Sequence, residues 1–588
     1  MTNNTDELHR KIKELEKQVA FLNEQLKEDN RFGLKWIDVP EAFEKESENK
    51  IPILEEVPEL AITNDDGKPT HVLIEGDNYH ALTCLNYTHH GKIDVIYIDP
   101  PYNTGNDGFT YKDKRFLDKY PDGTELPQNH PLRHSAWLSF MDKRLKLARE
   151  LLSDEGVLYI SIDDHEFANI KCLCDKIFGY DKFIAVFPRL ATKSGKTPLT
   201  FMVSHDYILC YVKNKKDIFI GKSFEDSSYK YTDEFEKERG KYNLKQPLDC
   251  NSISYSASLD YPIEHNGKTY YPGTDYNKYK ERKAGIHLKK DYAWRWSKEL
   301  YEFGLQNGWV VFKNGRIYTK CYLNATVEKQ NDGNYGITYR DKYRKLSTID
   351  FIDNSFSNDI AKKELAAFKI SAKFDYPKPT SLIMDLIESH KKKDAICLDF
   401  FAGSGTMGES VMQLNENDNG KRTFILVQTN DGKICKNITY VRNQKVINGY
   451  NNINPLGNSL KYYRTSFVGS NVCSKATDED KTLLAQKAGC LLALAENTLY
   501  EQKKTENYQI FKDKDKNVWT AVYFKEDYRS NLFDPFVDCV LSLDGIKNVY
   551  IFSWGDVGTF ESYFDNVEGL NLKSIPQPIL DIYKSLNS

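Results

Sequence analysis

The chain has no apolar run long enough to cross a bilayer, no CxxC pair and no GxxxxGK[ST] phosphate loop. Each absence excludes a class of protein. A membrane helix needs about 20 mostly apolar residues, and the N-terminus is charged and polar where a secretory leader would be apolar. Neither secretion nor membrane insertion is therefore expected, and a cytoplasmic location is. Eleven cysteines are scattered along the chain. The nearest approach to a motif, Cys172-Leu-Cys174, sits in an amphipathic stretch where core packing is its plain role. Neither a zinc site nor a disulfide frame is visible, no metal is expected, and reduced thiols suit the cytosol. Without a phosphate loop or a nuclease-like carboxylate–lysine cluster, neither nucleotide-driven motion nor strand cleavage is expected of this chain alone. Excess charge is also missing: 81 Lys+Arg face 85 Asp+Glu, a net of -4 with pI near 6.4. That excludes a wholly basic nucleic-acid coat but not a local basic surface.

What is present is a long globular chain. Its 588 residues, 40% hydrophobic and 28% charged, exceed one ordinary core and imply two to four domains. In residues 1–30, Leu8, Ile12, Leu15, Val19, Leu22 and Leu26 alternate spacings of four and three, the seam of a helix that pairs with another helix. The partner is either a second chain or this one, and both stay open. A linker with Pro40 and an acidic patch follows. Residues 31–186 alternate strand patterns (His71–Glu75, Ile93–Ile98, Gly156–Ile162) with a helix over Pro131–Leu152. Asp206–Val212 also reads as a strand. The alternation resumes over 351–468 with strands at Asp394–Phe400 and Thr423–Val427 and a helix over Gly403–Leu414. This texture predicts an α/β fold with a mostly parallel sheet. Residues 469–588, with strand patterns at Val518–Phe524 and Val549–Phe552, read as a separate C-terminal α/β domain.

The stretch 187–350 breaks the alternation. It carries 29 Lys+Arg against 20 Asp+Glu, a local net of +9. Cations interleave with aromatics at Tyr229-Lys230-Tyr231, at Tyr276 to Lys280 and at Tyr292-Ala-Trp294-Arg295-Trp296. Charge with stacking platforms suits a nucleic-acid surface; the plainer reading is an aromatic core with a solvated basic face. Beside the motif described next, DNA contact is expected, with Arg189, Lys193, Tyr292, Trp294, Arg295 and Trp296 as candidate contacts.

Asp94-Val-Ile-Tyr-Ile-Asp99-Pro100-Pro101-Tyr102-Asn103 is a buried-strand pattern running into two prolines. A proline pair removes ladder donors and fixes φ, so the strand ends at Asp99. In an open parallel sheet that edge is where ligands bind. The Asp99 carboxylate and the Pro100 carbonyl can each accept one hydrogen of an aromatic amine. Held in this way, the amine nitrogen leaves conjugation with its ring and directs its lone pair at an electrophile. Pro101 stiffens the turn and Tyr102 can stack on the ring. The chemistry is positioning plus electrostatics. The alternative is an ordinary strand-ending turn.

Ile396-Cys-Leu398-Asp399-Phe400-Phe401-Ala402-Gly403-Ser404-Gly405-Thr406 is a strand, a glycine-rich turn and a helix start. Glycines let the backbone approach a ligand, the helix start offers free N–H groups, and Asp399 can hold a cationic amine. Gly403-x-Gly405-x-x-Gly408 also fits a dinucleotide fingerprint. That fingerprint requires an acid at the next strand end, where Gln428 stands, and a nicotinamide enzyme has no use for the Asp-Pro-Pro-Tyr loop.

With these motifs in this order, the sequence resembles the β-class DNA amino-methyltransferases, in particular the modification (Mod) subunits of type III restriction–modification systems. The resemblance covers roughly Phe32 to Thr465. It rests on Gly33-Leu-Lys-Trp36, Ile74-Glu-Gly-Asp77-Asn78, Asp99–Tyr102, His205 in Val-Ser-His-Asp-Tyr-Ile-Leu, Phe374-Asp-Tyr-Pro377-Lys378-Pro379 and Asp399–Thr406. It implies a doubly wound, Rossmann-like sheet in the circularly permuted β-class order, with an inserted target-recognition domain, an N-terminal helix and a C-terminal α/β domain. It further implies S-adenosylmethionine as cofactor, with Phe401, Gly403 and Gly405 at its methionine end, Ser404 and Thr406 in the same loop and Asp399 on its amine. Lys378-Pro379 begins the helix that completes that pocket. Asp77 lies near the adenosine or is simply a helix cap. His205 supports the target-base pocket or is simply structural. Two departures stand out: Phe400 replaces a usual proline, and Gln428 stands where many relatives place an acid for the ribose hydroxyls. The implied reaction is methyl transfer to N6 of a flipped adenine in duplex DNA, with cytosine N4 the nearest alternative. A DNA-specificity subunit that guides a nuclease is the rival of another class. The implied partners are double-stranded DNA, a second copy of the chain and a separate helicase/nuclease restriction subunit.

Overall fold

The computed structural model describes residues 34–39, 50–105, 113–193, 201–214, 219, 222–223, 228–339, 343–370, 374–469, 471, 475–555, 557–565 and 567–586. The heptad segment 1–30, Gly33 and Pro40 lie outside the described residues. The chain forms two compact units, residues 220–346 and the remainder.

The larger unit is built on a nine-stranded sheet. Its strands are β1 (Ile51–Glu56), β2 (Thr70–Glu75), β3 (Ile93–Ile98), β4 (Leu152–Ile162), β5 (Phe183–Leu190), β6 (His205–Val212), β7 (Ile396–Asp399), β8 (Thr423–Gln428) and β9 (Ser459–Val468). The spatial order is β1-β9-β2-β8-β7-β3-β4-β6-β5. Strands β9, β2, β8, β7, β3 and β4 run parallel; β1 at one edge, and β6 and β5 at the other, pair antiparallel. Every residue of β3 is buried, because helices cover both faces of a parallel sheet and each strand must be apolar on both sides. The expected α/β class is what the chain adopts.

The chain leaves β3 towards β4 on one side and β7 towards β8 on the other, so the strand order reverses between β3 and β7. Ligands collect at such a switch point, beyond the carboxyl ends of the strands. Helix α1 (Asn78–His89) starts directly after β2, its N-terminus capped by Asp77, whose Oδ1 accepts from the Tyr79 N–H at 2.7 Å. Helix α2 (Ser135–Leu151) buries Trp137, Leu138, Met141 and Leu145 on its core face. The remaining site helices are α3 (Thr380–Glu388), α4 (Thr406–Asp418) and α5 (Val441–Asn448).

Two expected boundaries move. The inserted unit begins at 220, not 187, because β5 and β6 complete the nine-stranded sheet; it ends at 346. Residues 469–588 do contain a five-stranded sheet (Tyr500–Lys504, Tyr508–Lys512, Val518–Tyr523, Ile546–Phe552, Leu570–Ile575). They nevertheless belong to the larger unit. Leu491, Leu492, Ile579 and Leu580 share one apolar core with Ile51, Leu82 and Leu85, and Tyr583 Oη donates to the Pro52 carbonyl at 3.2 Å.

The 220–346 unit has a three-stranded antiparallel sheet (Tyr242–Pro247, Val310–Lys313, Arg316–Tyr322) and its own small cores, one around Leu248, Ile263, Trp294 and Ile317 and one around Trp309 and Tyr322. A buried ion pair, Arg282 to Asp260 at 3.0 Å, ties its helix Tyr276–Lys283 to the unit.

Candidate active site

Four strand ends meet at one edge. Asp77 follows β2, Gln428 ends β8, Asp399 ends β7 and Asp99 follows β3. Strands β7 and β3 are direct neighbours, with Leu398 beside Ile96, so the two carboxylates singled out in the sequence emerge from adjacent strands. Asp77, Asp99, Phe401, Gly403 and Gln428 line one cleft, together with Asn78, Arg115, Phe140, Phe374 and Tyr376.

The Asp99 carboxylate is held at both oxygens. Tyr102 Oη donates to Oδ1 at 2.9 Å and Lys378 Nζ to Oδ2 at 2.5 Å. Tyr102 Oη also lies 3.4 Å from Asp206 Oδ2. Burial beside the Asp99 and Asp206 carboxylates raises the Tyr102 phenol well above its ordinary pKa, so it acts as a donor. Trp137 Nε1 donates to the Pro101 carbonyl at 2.7 Å. Among the described residues no hydrogen bond engages the Pro100 carbonyl. Behind the loop, Asn103 at φ +59° donates through Nδ2 to the buried Glu166 at 2.6 Å, which also binds His134 at 2.6 Å.

The glycine loop divides its work. Gly403 sits at φ +51°, and a β-carbon there would lie 3.0 Å from Phe374 Cζ. Its N–H donates to Gln428 Oε1 at 2.7 Å, and Gln428 Nε2 donates to the Thr429 carbonyl at 3.2 Å. Asp399 is buried and accepts the Phe401 N–H at 2.9 Å. Loss of water pushes its carboxyl up to about 8, and nearby Asp99 adds to the rise. On the far side of the loop, Ser404 and Thr406 turn inward to the buried Arg442 guanidinium at 3.1 and 2.8 Å, and Arg442 pairs with Glu409 at 2.8 Å.

The DNA methylase family of N6 and N4 enzymes matches residues 93–438, more than half of the chain. The chain belongs to the DNA methylase family. The sequence is also 33% identical over 397 residues to the type III restriction–modification enzyme EcoPI Mod subunit of Escherichia phage P1, covering 61% of this chain and 58% of that protein. It is 33% identical over 382 residues to the StyLTI Mod subunit of Salmonella typhimurium, covering 61% and 53%. To the type II methyltransferase M.KpnI of Klebsiella pneumoniae it is 33% identical over 381 residues, covering 62% and 82%. The chain thus spans little more than half the length of the two Mod subunits.

In this chain the structure brings Asp99, Pro101, Tyr102, Asp399, Phe401, Gly403, Gln428 and Asp77 to one edge, and the other expected site residues fall as follows. Ser404, Gly405 and Thr406 do not line the cleft. They hold the loop to α5, and a β-carbon on Gly405 would meet Asn443 Nδ2 at 2.5 Å. Lys378 engages Asp99 and is also absent from the cleft lining. Asp77 is both a helix cap and a cleft residue. Gln428 spends its side chain on the backbone of Gly403 and Thr429. His205 is exposed and bonds Tyr207 Oη at 2.9 Å; its neighbour Asp206 is the residue that reaches Tyr102.

The candidate DNA contacts divide in the same way. Arg189 is buried against Asp206, to which its Nε donates at 2.7 Å, and so it is not a surface cation. Trp294 is 2% exposed, with Nε1 donating to the Tyr261 carbonyl at 2.7 Å. Tyr292 packs on Gly273 and Trp296 on Gly304, where β-carbons would lie 2.8 and 2.4 Å from their rings. Only Lys193 and Arg295 of the six are exposed. The sequence reading missed Asn78, which donates to the Phe400 carbonyl at 2.9 Å, and Arg144, whose Nε donates to Asn78 Oδ1 at 2.5 Å. The run Asp77-Asn78 marked the place, but Arg144 lies mid-helix with no motif around it.

Proposed function

We propose that this chain transfers a methyl group from S-adenosylmethionine to N6 of adenine in duplex DNA, as the modification and specificity subunit of a type III-like restriction–modification system. The observation that carries the reading is the emergence of Asp99 and Asp399 from adjacent strands at the switch point, with Asp99 and the glycine loop lining one cleft. Two features fit the cofactor. Asp399 is a buried carboxyl whose charge needs a cation, and the Gly403 backbone leaves a cradle that a side chain would fill. Asp399, Phe401 and Gly403 would hold the methionine end and Asp77 the adenosine end. When bound, the cofactor supplies an electrophilic methyl group on a sulfonium.

The chain's own residues position the acceptor. Asp99 and the Pro100 carbonyl take the two amine hydrogens, and the Trp137 bond to the Pro101 carbonyl anchors the peptide that follows. Fixed acceptors of this kind lower the barrier without reorganising during the reaction. DNA contact is supported by charge more than by stacking: Lys278, Lys280 and Lys283 on the helix Tyr276–Lys283, and Lys289 and Lys290 after it, are exposed. The names of the Mod relatives support a separate restriction subunit, and the family resemblance supports a second copy of the chain as partner.

Incubation of the purified protein with duplex DNA and isotopically labelled S-adenosylmethionine, followed by nucleoside mass spectrometry, tests the reading. Labelled N6-methyladenine is expected; label on N4 of cytosine would overturn the base assignment, and no label in DNA would overturn the reaction. Single-molecule sequencing of the product then locates the site.

A further inference from the structure

We propose that Lys378 is the positioning residue of Asp99, an ion-pair clamp that fixes the orientation of the carboxylate that accepts the target amine. The inference rests on the methyl-transfer reading above. Lys378 Nζ lies 2.5 Å from Asp99 Oδ2, and the lysine side chain is only 7% exposed. A buried ammonium is costly unless paired, so the lysine has a strong reason to stay on this oxygen. Tyr102 Oη takes the other oxygen at 2.9 Å. With one donor on each side, the carboxylate plane cannot rotate about its Cβ–Cγ bond. Each oxygen keeps a further lone pair, and the amine hydrogen of a base has a fixed acceptor to meet.

The lysine is itself fixed from behind. Its carbonyl accepts from Thr406 Oγ1 at 3.1 Å, and the next residue, Pro379, is the N-cap of α3. The glycine-loop helix α4, which begins at Thr406, therefore holds the backbone of the residue that orients the catalytic carboxylate. The ammonium also lies 5.3 Å from the centre of the Tyr102 ring. Both partners of Asp99 thus act as one assembly. The Lys378 ammonium is spent on Asp99 Oδ2, and the cofactor affinity of its variants separates the clamp from a role as cofactor ligand.

Three variants test it. Lys378→Met keeps length and bulk without the charge. Single-turnover transfer at saturating cofactor and DNA is expected to fall at least tenfold, while calorimetric affinity for S-adenosylmethionine stays within twofold of the wild type. Lys378→Arg, which retains a cation, is expected to recover part of the rate. Asp99→Ala leaves the ammonium buried and unpaired, so its melting temperature is expected to drop, and Asp99→Ala/Lys378→Met is expected to melt higher than Asp99→Ala alone. Wild-type turnover by Lys378→Met, or a cofactor affinity that collapses in step with the rate, would overturn the clamp. A double variant no more stable than Asp99→Ala would also overturn it. A wild-type protein that methylates no DNA would instead remove the reading on which the clamp rests.

Discussion

Two buried ionisable groups at the edge of the site have consequences that single substitutions expose. Asp399 titrates near 8 in the folded chain against 3.8 for an ordinary aspartate. Between about pH 4 and pH 8 the folded state keeps a proton that the unfolded state has released, so stability of the ligand-free protein should fall as pH rises through that window. Asp399→Asn should flatten that slope in melting curves recorded across the range. Cofactor binding near pH 7 should release a proton in the wild type and none in the variant, which calorimetry in buffers of different ionisation enthalpy would detect. Arg189 sits 17 residues before Asp206 in sequence and is sealed against it. Arg189→Met strands a buried carboxylate, and loss of one partner of such a pair costs about 3–5 kcal/mol. Urea unfolding should register that loss, whereas an arginine that served only to contact DNA would leave stability unchanged. Because Asp206 touches Tyr102, the same variant should also transfer methyl more slowly.

At the level of elements, the glycine loop is a joint between α4 and α5 as much as a ligand cradle. A β-carbon on Gly408 would lie 2.0 Å from Asn443 Oδ1. Asn443 cannot easily swing away, since its Nδ2 donates to the Thr439 carbonyl at 2.8 Å. Gly408→Ala should therefore destabilise by about 1–3 kcal/mol, the usual range for overpacking, and Gly408→Ala/Asn443→Ala should regain part of it in thermal unfolding. Equal melting of wild type and Gly408→Ala would show that the helices separate freely. The third glycine of the Gly-x-Gly-x-x-Gly string thus serves helix packing. This is why the string by itself could not tell a nicotinamide site from this one.

For the whole molecule, the decisive feature is that residues 469–588 complete the core of the larger unit. Leu491 and Leu580 cover the same apolar surface as Leu82 of α1 and Ile51 of β1. Truncation after Val468 should expose that face and give protein that fails to fold soluble, as judged by fractionation and circular dichroism. A soluble, cooperatively melting truncated chain would show that the C-terminal part is an appendage. The sequence reading expected a separate domain because alternating strand and helix patterns mark a layer without saying whose face it covers.

The parts of this protein legible from sequence are those in which residues act on their own backbone. Two prolines end β3 at Asp99, glycine permits the turn at Gly403, and unbroken apolar runs mark strands buried on both faces. The order of the two loops, with a basic insert between them, already pointed to the family. Partner choice was not legible, because burial is set by contacts between segments far apart in the chain. Lys378 and Asp99 are 279 residues apart, and the pairing of β7 beside β3 together with the Thr406 bond to the Lys378 carbonyl places them side by side. Ser404, Thr406, Arg189 and Trp294 carry side chains suited to ligands or nucleic acid, and packing turned each inward. Local geometry follows from the residue itself; the role of a polar or aromatic side chain follows from which neighbours exclude water around it.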